Sequence, residues 1–204
     1  MTELDIIPSG KPAGAEIRGV DVGRGVAPEV MAQIRDALHT YKAVVLRGQK
    51  LTAPQQIAFS GYFGKLERHV IPQYLVPGYE DLVRVSNILD DAGKPIGLVD
   101  AGRIWHSDGH FLPKPNLYSM LYALEIPHDQ SGKALGETLF ANTAHACATL
   151  PDAMRQRIVA HSQVLAATVV PQQQVTHLPL VGVHELIAHA PIGQLADEGV
   201  AFLR

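Results

Sequence analysis

The chain has 204 residues, of which 47% are apolar and 18% are charged, and its formal net charge is -3. This balance excludes a disordered or fibrous chain, and it gives no general electrostatic attraction to nucleic acid or anionic lipid. No apolar run approaches the roughly 18 residues of a membrane-spanning helix, and the N-terminus lacks the features of a signal peptide. We expect one cytoplasmic domain over residues 1–204, with no membrane segment and no nucleic-acid partner.

The first half of the chain alternates between strand patterns and helical patterns. Apolar residues at every second position predict short strands near 4–6 and 15–17, bounded by turn residues. Helical spacing of apolar residues predicts a helix over 28–41, and a Thr-Ala-Pro start predicts a second helix over 52–63. Between the two helices, the wholly apolar run 43–46 predicts a buried strand.

The second half begins with an alternating strand pattern over 81–87. Residues 88–103 are rich in Gly, Pro and Asp and predict a loop, and loops of this length are often functional lids. Past residue 177 the periodicity cannot be assigned. The remaining predictions are strands over 117–125, 137–141 and 164–170, and helices over 142–149 and 151–160.

One cysteine, Cys147, bears on the compartment of the protein. A single cysteine excludes an internal disulfide and fits a reducing environment. Its simplest interpretation is a small buried apolar residue, with a reactive thiol as the alternative.

The segment 104–111 (IWHSDGHF) carries the residues most suggestive of chemistry. In an extended strand, residues i and i+2 share a face, so His106 and Asp108 would face the same point. An imidazole nitrogen and a carboxylate oxygen are two of the three ligands in the facial triad of non-haem Fe(II) oxygenases. The spacing alone is a weak signal, since a hydrogen-bonded His–Asp pair or a surface coincidence would look the same.

A third histidine, His110, lies on the same predicted strand face. A flat strand would place it about 13 Å from His106, which is too far for both to bind one ion. The pattern therefore favours a pocket-lining or surface residue at His110, and it disfavours a zinc hydrolase built from all three side chains.

Six segments in a fixed order give the strongest indication of function. Together they resemble the TauD/TfdA (taurine / 2,4-D dioxygenase) family of Fe(II)/2-oxoglutarate-dependent dioxygenases, and the resemblance covers about residues 4–165. The segments are 14–21 (GAEIRGVD), 43–49 (AVVLRGQ), 52–56 (TAPQQ), 63–66 (FGKL), 105–108 (WHSD) and 136–140 (GETLF).

The resemblance implies an α+β fold with a double-stranded β-helix (a cupin-like jelly roll) and flanking helices. It implies a dioxygenase that uses O₂, Fe(II) and 2-oxoglutarate to hydroxylate a small anionic substrate, yielding succinate and CO₂. His106 and Asp108 match the first two iron ligands. Thr138 matches a hydroxyl near the 2-oxoglutarate carboxylate, although it is also an ordinary strand threonine. His69 matches a residue that contacts the anionic head of the substrate, although it is also a plain loop histidine.

The family pattern also requires a distal histidine ligand, followed by an arginine that pairs with 2-oxoglutarate. Counted from His106, both would fall beyond residue 204, so we expect a C-terminally truncated chain whose late strands are missing. Oligomerisation would cover the sheet edges that this leaves open. Three later histidines remain as substitutes for the distal ligand: His177, His184 and His189.

Two alternatives stay open beside the active enzyme. The first is a catalytically inactive truncated homologue, and the second is a binding module in which His106 affects only stability. The identity of the substrate is not indicated, because positions near the His-x-Asp pair, such as Gly102 and Gly109, are featureless.

Overall fold

The computed structural model describes residues 3–68, 71–99, 105–109, 114–135, 138–159, 186–189 and 199–203. Mixed helices and strands make up these ranges, which confirms the α+β composition. None of the helices described combines the length and apolar character that crossing a membrane requires. In chain order the elements are β1 (Asp5–Pro8), β2 (Ala15–Arg18), α1 (Pro28–Tyr41), β3 (Ala43–Arg47), α2 (Ala53–Gly61), β4 (Leu75–Val76), β5 (Tyr79–Val83), β6 (Ser119–Tyr122), β7 (Thr138–Ala141), α3 (Thr143–Thr149), α4 (152–159), β8 (Leu186–His189) and β9 (Gly199–Leu203).

The main sheet has five strands in the order β1-β2-β3-β9-β6. β1 and β2 are antiparallel, whereas β2 and β3 are parallel and are connected through α1. Parallel neighbours need a crossover connection of this kind, because a tight turn can only join antiparallel strands. β9 runs antiparallel to both β3 and β6, so five residues late in the chain join the early strands to β6.

The hydrophobic core lies between α1 and one face of the main sheet. Met31, Ile34 and Leu38 recur at helical spacing on α1 and are at most 1% exposed. They pack with Ile17 of β2 and Leu46 of β3 in one buried cluster. Burying each such side chain contributes about 1.5–3 kcal/mol, so this cluster is the main source of stability in the described part of the chain.

A buried glutamine joins the ends of several strands. Gln49 accepts a hydrogen bond from the backbone N–H of Val22 at 2.9 Å, and it donates to the carbonyls of Val20 and Arg47 at 3.0 and 3.1 Å. The hydroxyl of Tyr122 in β6 donates to the carbonyl of Gln49 at 3.2 Å. β6 is therefore fixed to the end of β3 by polar contacts as well as through β9.

The predicted helices lie close to their observed positions. The helix over 28–41 is confirmed at both ends, with Pro28 in the first turn, where a missing N–H costs nothing. The helix predicted over 52–63 begins as expected, with Thr52 and Gln55 forming a capping box, but it ends at Gly61. Helices α3 and α4 confirm the predictions over 142–149 and 151–160 as far as residue 159.

The predicted strands are confirmed in position, with shorter or shifted boundaries. The predictions near 4–6, 15–17 and 43–46 correspond to β1, β2 and β3, while those over 81–87, 117–125 and 137–141 correspond to β5, β6 and β7. The prediction over 164–170 lies outside the described residues. Cys147 is exposed on α3, so the expectation of a buried cysteine is wrong.

Candidate metal centre

An ordered hairpin lies between β5 and the residues preceding the His-x-Asp pair. The backbone N–H of Leu98 donates to the carbonyl of Arg84 at 2.8 Å, and that of Ile96 donates to Ile88 at 3.0 Å. At the tip, the Asp90 carboxylate accepts from the N–H groups of Ala92 and Lys94 at 2.9 and 2.8 Å. Residues 88–96 of the predicted 88–103 loop thus form a hydrogen-bonded hairpin, of the kind that Asp and Gly residues favour. At its base, Leu98 pairs with Val85 in a parallel bridge.

Gly97 fixes how closely this hairpin returns to the chain that leads into it. A Cβ at Gly97 would lie 2.8 Å from the carbonyl oxygen of Arg84 and 2.9 Å from the backbone nitrogen of Ser86. Both neighbours are backbone atoms that cannot swing away, so only glycine allows this close approach.

The structure brings His106 and Asp108 together. His106 Nε2 lies 3.3 Å from Asp108 Oδ1, and their side chains are 25% and 41% exposed. The expectation of a continuous strand through the pair is wrong, because His106 forms an isolated bridge and Asp108 begins a turn with Gly109. The side chains converge because the chain turns after the histidine, not because the residues share one face of a strand.

The separation of the two atoms fits shared coordination of one ion. Ligand atoms about 2.1 Å from an ion and at about 90° to one another are about 3 Å apart, close to the observed distance. The donor types, one imidazole and one carboxylate, also suit a non-haem iron site. Among the described residues, no third histidine, cysteine or carboxylate completes a group of three metal ligands.

Thr138, predicted to bind the cosubstrate, is the first residue of β7 and is partly buried. β7 pairs antiparallel with β8, and the register places Thr138 directly across from His189. The Cα atoms of such partners are about 4.5–5.5 Å apart. The sheet therefore brings one of the three substitute histidines next to the predicted cosubstrate residue. His69, His110, His177 and His184 lie outside the described residues.

One neighbour of the site was not predicted from the sequence. Asn116 packs its side chain against Gly109, the residue immediately after Asp108. Gly109 carries no functional group and is featureless in the sequence. In the structure its φ is 64°, a left-handed conformation that favours glycine. A glycine next to a candidate ligand is a sequence signal for a turn at that point. The residue that contacts the glycine depends on tertiary structure and carries no such signal.

A second cluster of charges lies on β2 and β3. Glu16 accepts from Arg18 Nε at 2.6 Å and from Arg47 Nε at 3.3 Å. The hydrogen bond from the Arg18 guanidinium, with a smaller effect of Arg47, holds the pKa of Glu16 below its ordinary value. The carboxylate is therefore charged at neutral pH, and it partly neutralises the two arginines on this part of the sheet.

Comparison with known proteins identifies several relatives of the chain. Residues 5–195 match the family described as taurine catabolism dioxygenase TauD, TfdA family. The chain is 30% identical over 151 residues to a pentalenolactone F synthase of Streptomyces avermitilis, which covers 73% of this chain and 48% of that protein. It is 33% identical over 147 residues to the alpha-ketoglutarate-dependent 2,4-dichlorophenoxyacetate dioxygenase of Cupriavidus pinatubonensis, which covers 67% and 49%. The chain therefore spans about half the length of the curated relatives it matches.

Solved structures show the same similarity in three dimensions. A taurine dioxygenase from Burkholderia xenovorans matches with a TM-score of 0.61 at 30% identity, over 76% of this chain and 50% of that chain. AAD-2, in complex with Mn(II) and N-oxalylglycine, matches with a TM-score of 0.63 at 18% identity, over 99% and 88%. At that identity the second match supports the fold alone. The resemblance carried by the six sequence segments is confirmed.

Proposed function

Because the chain belongs to the TauD/TfdA family of dioxygenases, we propose that it forms part or all of an Fe(II)- and 2-oxoglutarate-dependent dioxygenase. The proposed reaction hydroxylates a small organic anion with O₂: one oxygen atom enters the substrate, and 2-oxoglutarate is converted to succinate and CO₂. The observation that carries the proposal is the 3.3 Å approach of His106 Nε2 to Asp108 Oδ1. It supports a metal site with one donor atom from each of the two residues that the family pattern selects.

The side chains would divide the work as follows. His106 and Asp108 hold the metal, which supplies the activation of O₂ when bound. The Thr138 hydroxyl donates a hydrogen bond to a carboxylate oxygen of 2-oxoglutarate, a task suited to a short, stiff side chain on a strand. His69 binds the anionic head of the substrate through its ring N–H. Of the late histidines, His189 is the best candidate for the third ligand, because β8 lies beside Thr138.

The proposal also covers the fold, the cellular location, the partners and the oligomeric state. The five-stranded sheet and the two-stranded β7–β8 sheet would belong to a double-stranded β-helix, as the match to the taurine dioxygenase supports. The single cysteine supports a cytoplasmic location, and the net charge of -3 supports a small-molecule partner over nucleic acid or membrane. A homo-oligomer would cover open sheet edges.

An anaerobic titration with Fe(II) and 2-oxoglutarate tests this function. A weak visible charge-transfer band is expected when both bind at one site, and His106→Ala should abolish it. His145→Ala, which changes an exposed histidine of α3, is the matched control and should keep the band. Folded wild-type protein without a band would contradict the proposal, and it would favour the inactive homologue instead.

A further inference from the structure

The turn at Asp108 and Gly109, which follows His106, is packed against a side chain that comes later in the sequence. A Cβ built on Gly109 would lie 2.8 Å from Nδ2, 2.9 Å from Cγ and 3.2 Å from Oδ1 of Asn116. Real Cβ atoms essentially never approach this closely, so the carboxamide of Asn116 occupies the space beside the Gly109 Cα. The contact joins an exposed asparagine to the backbone that follows the candidate ligand Asp108.

Asn116 lies close in the chain to a strand of the main sheet. It lies three residues before β6, which is paired along its length with β9. The Tyr122 hydroxyl at the end of β6 also accepts a hydrogen bond from the backbone N–H of Leu51 at 2.9 Å. A side chain anchored beside such a strand can hold a turn that would otherwise move independently of the sheet.

We propose that Asn116 is a positioning residue for the metal centre. Its carboxamide packs on Gly109 and keeps Asp108 turned toward His106, at the separation that one ion requires. The metal in this inference rests on the proposed function, whereas the packing of Asn116 on the turn does not. Without the contact, the turn samples more conformations, and metal binding must then order it at a cost in affinity.

Hydrogen exchange on the metal-free protein tests the packing directly. In Asn116→Ala, the backbone amides of residues 105–109 should exchange about twofold faster or more. A twofold change corresponds to the smallest interaction energy expected between two residues in contact. Asn116→Leu keeps the branch at Cγ and should preserve most of the protection. Gln130→Ala removes an exposed amide from a different turn and should change nothing at 105–109. Unchanged exchange at 105–109 in Asn116→Ala would overturn the proposal.

A double-mutant cycle shows whether Gly109 is the partner. Gly109→Ala should speed exchange at 105–109, both because of its φ of 64° and because the new Cβ meets the Asn116 side chain. In the Asn116→Ala background the second cause disappears, so Gly109→Ala should have a smaller effect there. Equal effects in the two backgrounds would mean that the residues do not act on each other.

Mn(II) binding, followed by electron paramagnetic resonance, separates a positioning role from a merely structural one. Asn116→Ala should lower the affinity for Mn(II) roughly tenfold, because losing supporting contacts around metal ligands commonly has this effect. Gln130→Ala should leave the affinity unchanged. Faster exchange with unchanged Mn(II) affinity would make Asn116 a structural residue only. If wild-type protein shows no Mn(II) binding that depends on His106, the proposed function fails, and the exchange data still decide whether Asn116 holds the turn.

Discussion

Among the described residues, Gln49 is the one polar side chain in the buried class, at 6% exposure. Gln49→Leu removes the side-chain acceptor of the Val22 N–H and the donor to two carbonyls. We expect the free energy of unfolding to fall by about 2–4 kcal/mol, because a buried N–H loses its partner as well as the net hydrogen bonds. Urea unfolding of both proteins measures the difference. Gln130→Ala, which changes an exposed amide, should stay within about 0.5 kcal/mol of wild type.

The lowered pKa of Glu16 predicts that the stability of the folded protein decreases as the pH falls. Its pKa is lower in the folded protein than in the unfolded chain, because Arg18 binds the charged form. The contribution to stability is therefore present above the unfolded pKa and is lost as the pH falls through the folded pKa. Glu16→Gln should unfold at lower urea than wild type at pH 7, and the two midpoints should converge as the pH drops below 4.5. A midpoint difference that persists unchanged at pH 3 would contradict this.

The candidate site shows what single residues reveal before a structure is known. The spacing of His106 and Asp108 predicts that they meet, and they do, but through a turn and not a strand. The error arises because Gly109 closes a turn immediately after the pair, whereas alternation rules assume continuous extended backbone. Asn116 could not be predicted, since its proposed role depends on a tertiary contact with Gly109, seven residues earlier in the chain.

The hairpin between β5 and the His-x-Asp pair gives a prediction for one element. Gly97→Ala would place a Cβ within 3.0 Å of backbone atoms of Arg84 and Ser86, so the hairpin must open or shift. We expect the substitution to destabilise the folded hairpin by about 1–3 kcal/mol, as at other overpacked positions. Hydrogen exchange should show faster loss of protection at the Leu98 N–H, which pairs with Arg84.

The matched control for this hairpin is Gly61→Ala at the end of α2. A Cβ there meets nothing within 4 Å, and alanine favours a helix, so no loss of stability is expected. If Gly61→Ala and Gly97→Ala affected the Leu98 amide equally, the close backbone approach would not be what orders the hairpin.

Elements with strong local signals could be placed from the sequence, and elements made by distant pairing could not. The helix over 28–41 carries its own start signal in Pro28 and its own apolar stripe. Strand β9 has no such mark: its place between β3 and β6 is set by residues more than 75 positions earlier in the chain. Non-local pairing of this kind is decided by the whole sheet and not by the short segment itself.

The main sheet connects the early core to the candidate metal centre. β3 belongs to the core cluster built on α1, β9 lies next to β3, and β6 lies on the other side of β9. Asn116 and the turn at Asp108–Gly109 come shortly before β6 in the chain. A change in β9 should therefore affect both global stability and the order of the turn in the candidate metal centre.

Ala201 in β9 allows this connection to be tested. Its register partners are Val45 in β3 and Leu121 in β6, so proline at this position removes an N–H from the centre of the sheet. We expect Ala201→Pro to lower the free energy of unfolding by about 3 kcal/mol or more, and to speed hydrogen exchange at residues 105–109. Ala201→Gly keeps the N–H and should cost about 1 kcal/mol at most. Faster exchange in β3 and β6 with unchanged exchange at 105–109 would show that the turn is held independently of the sheet.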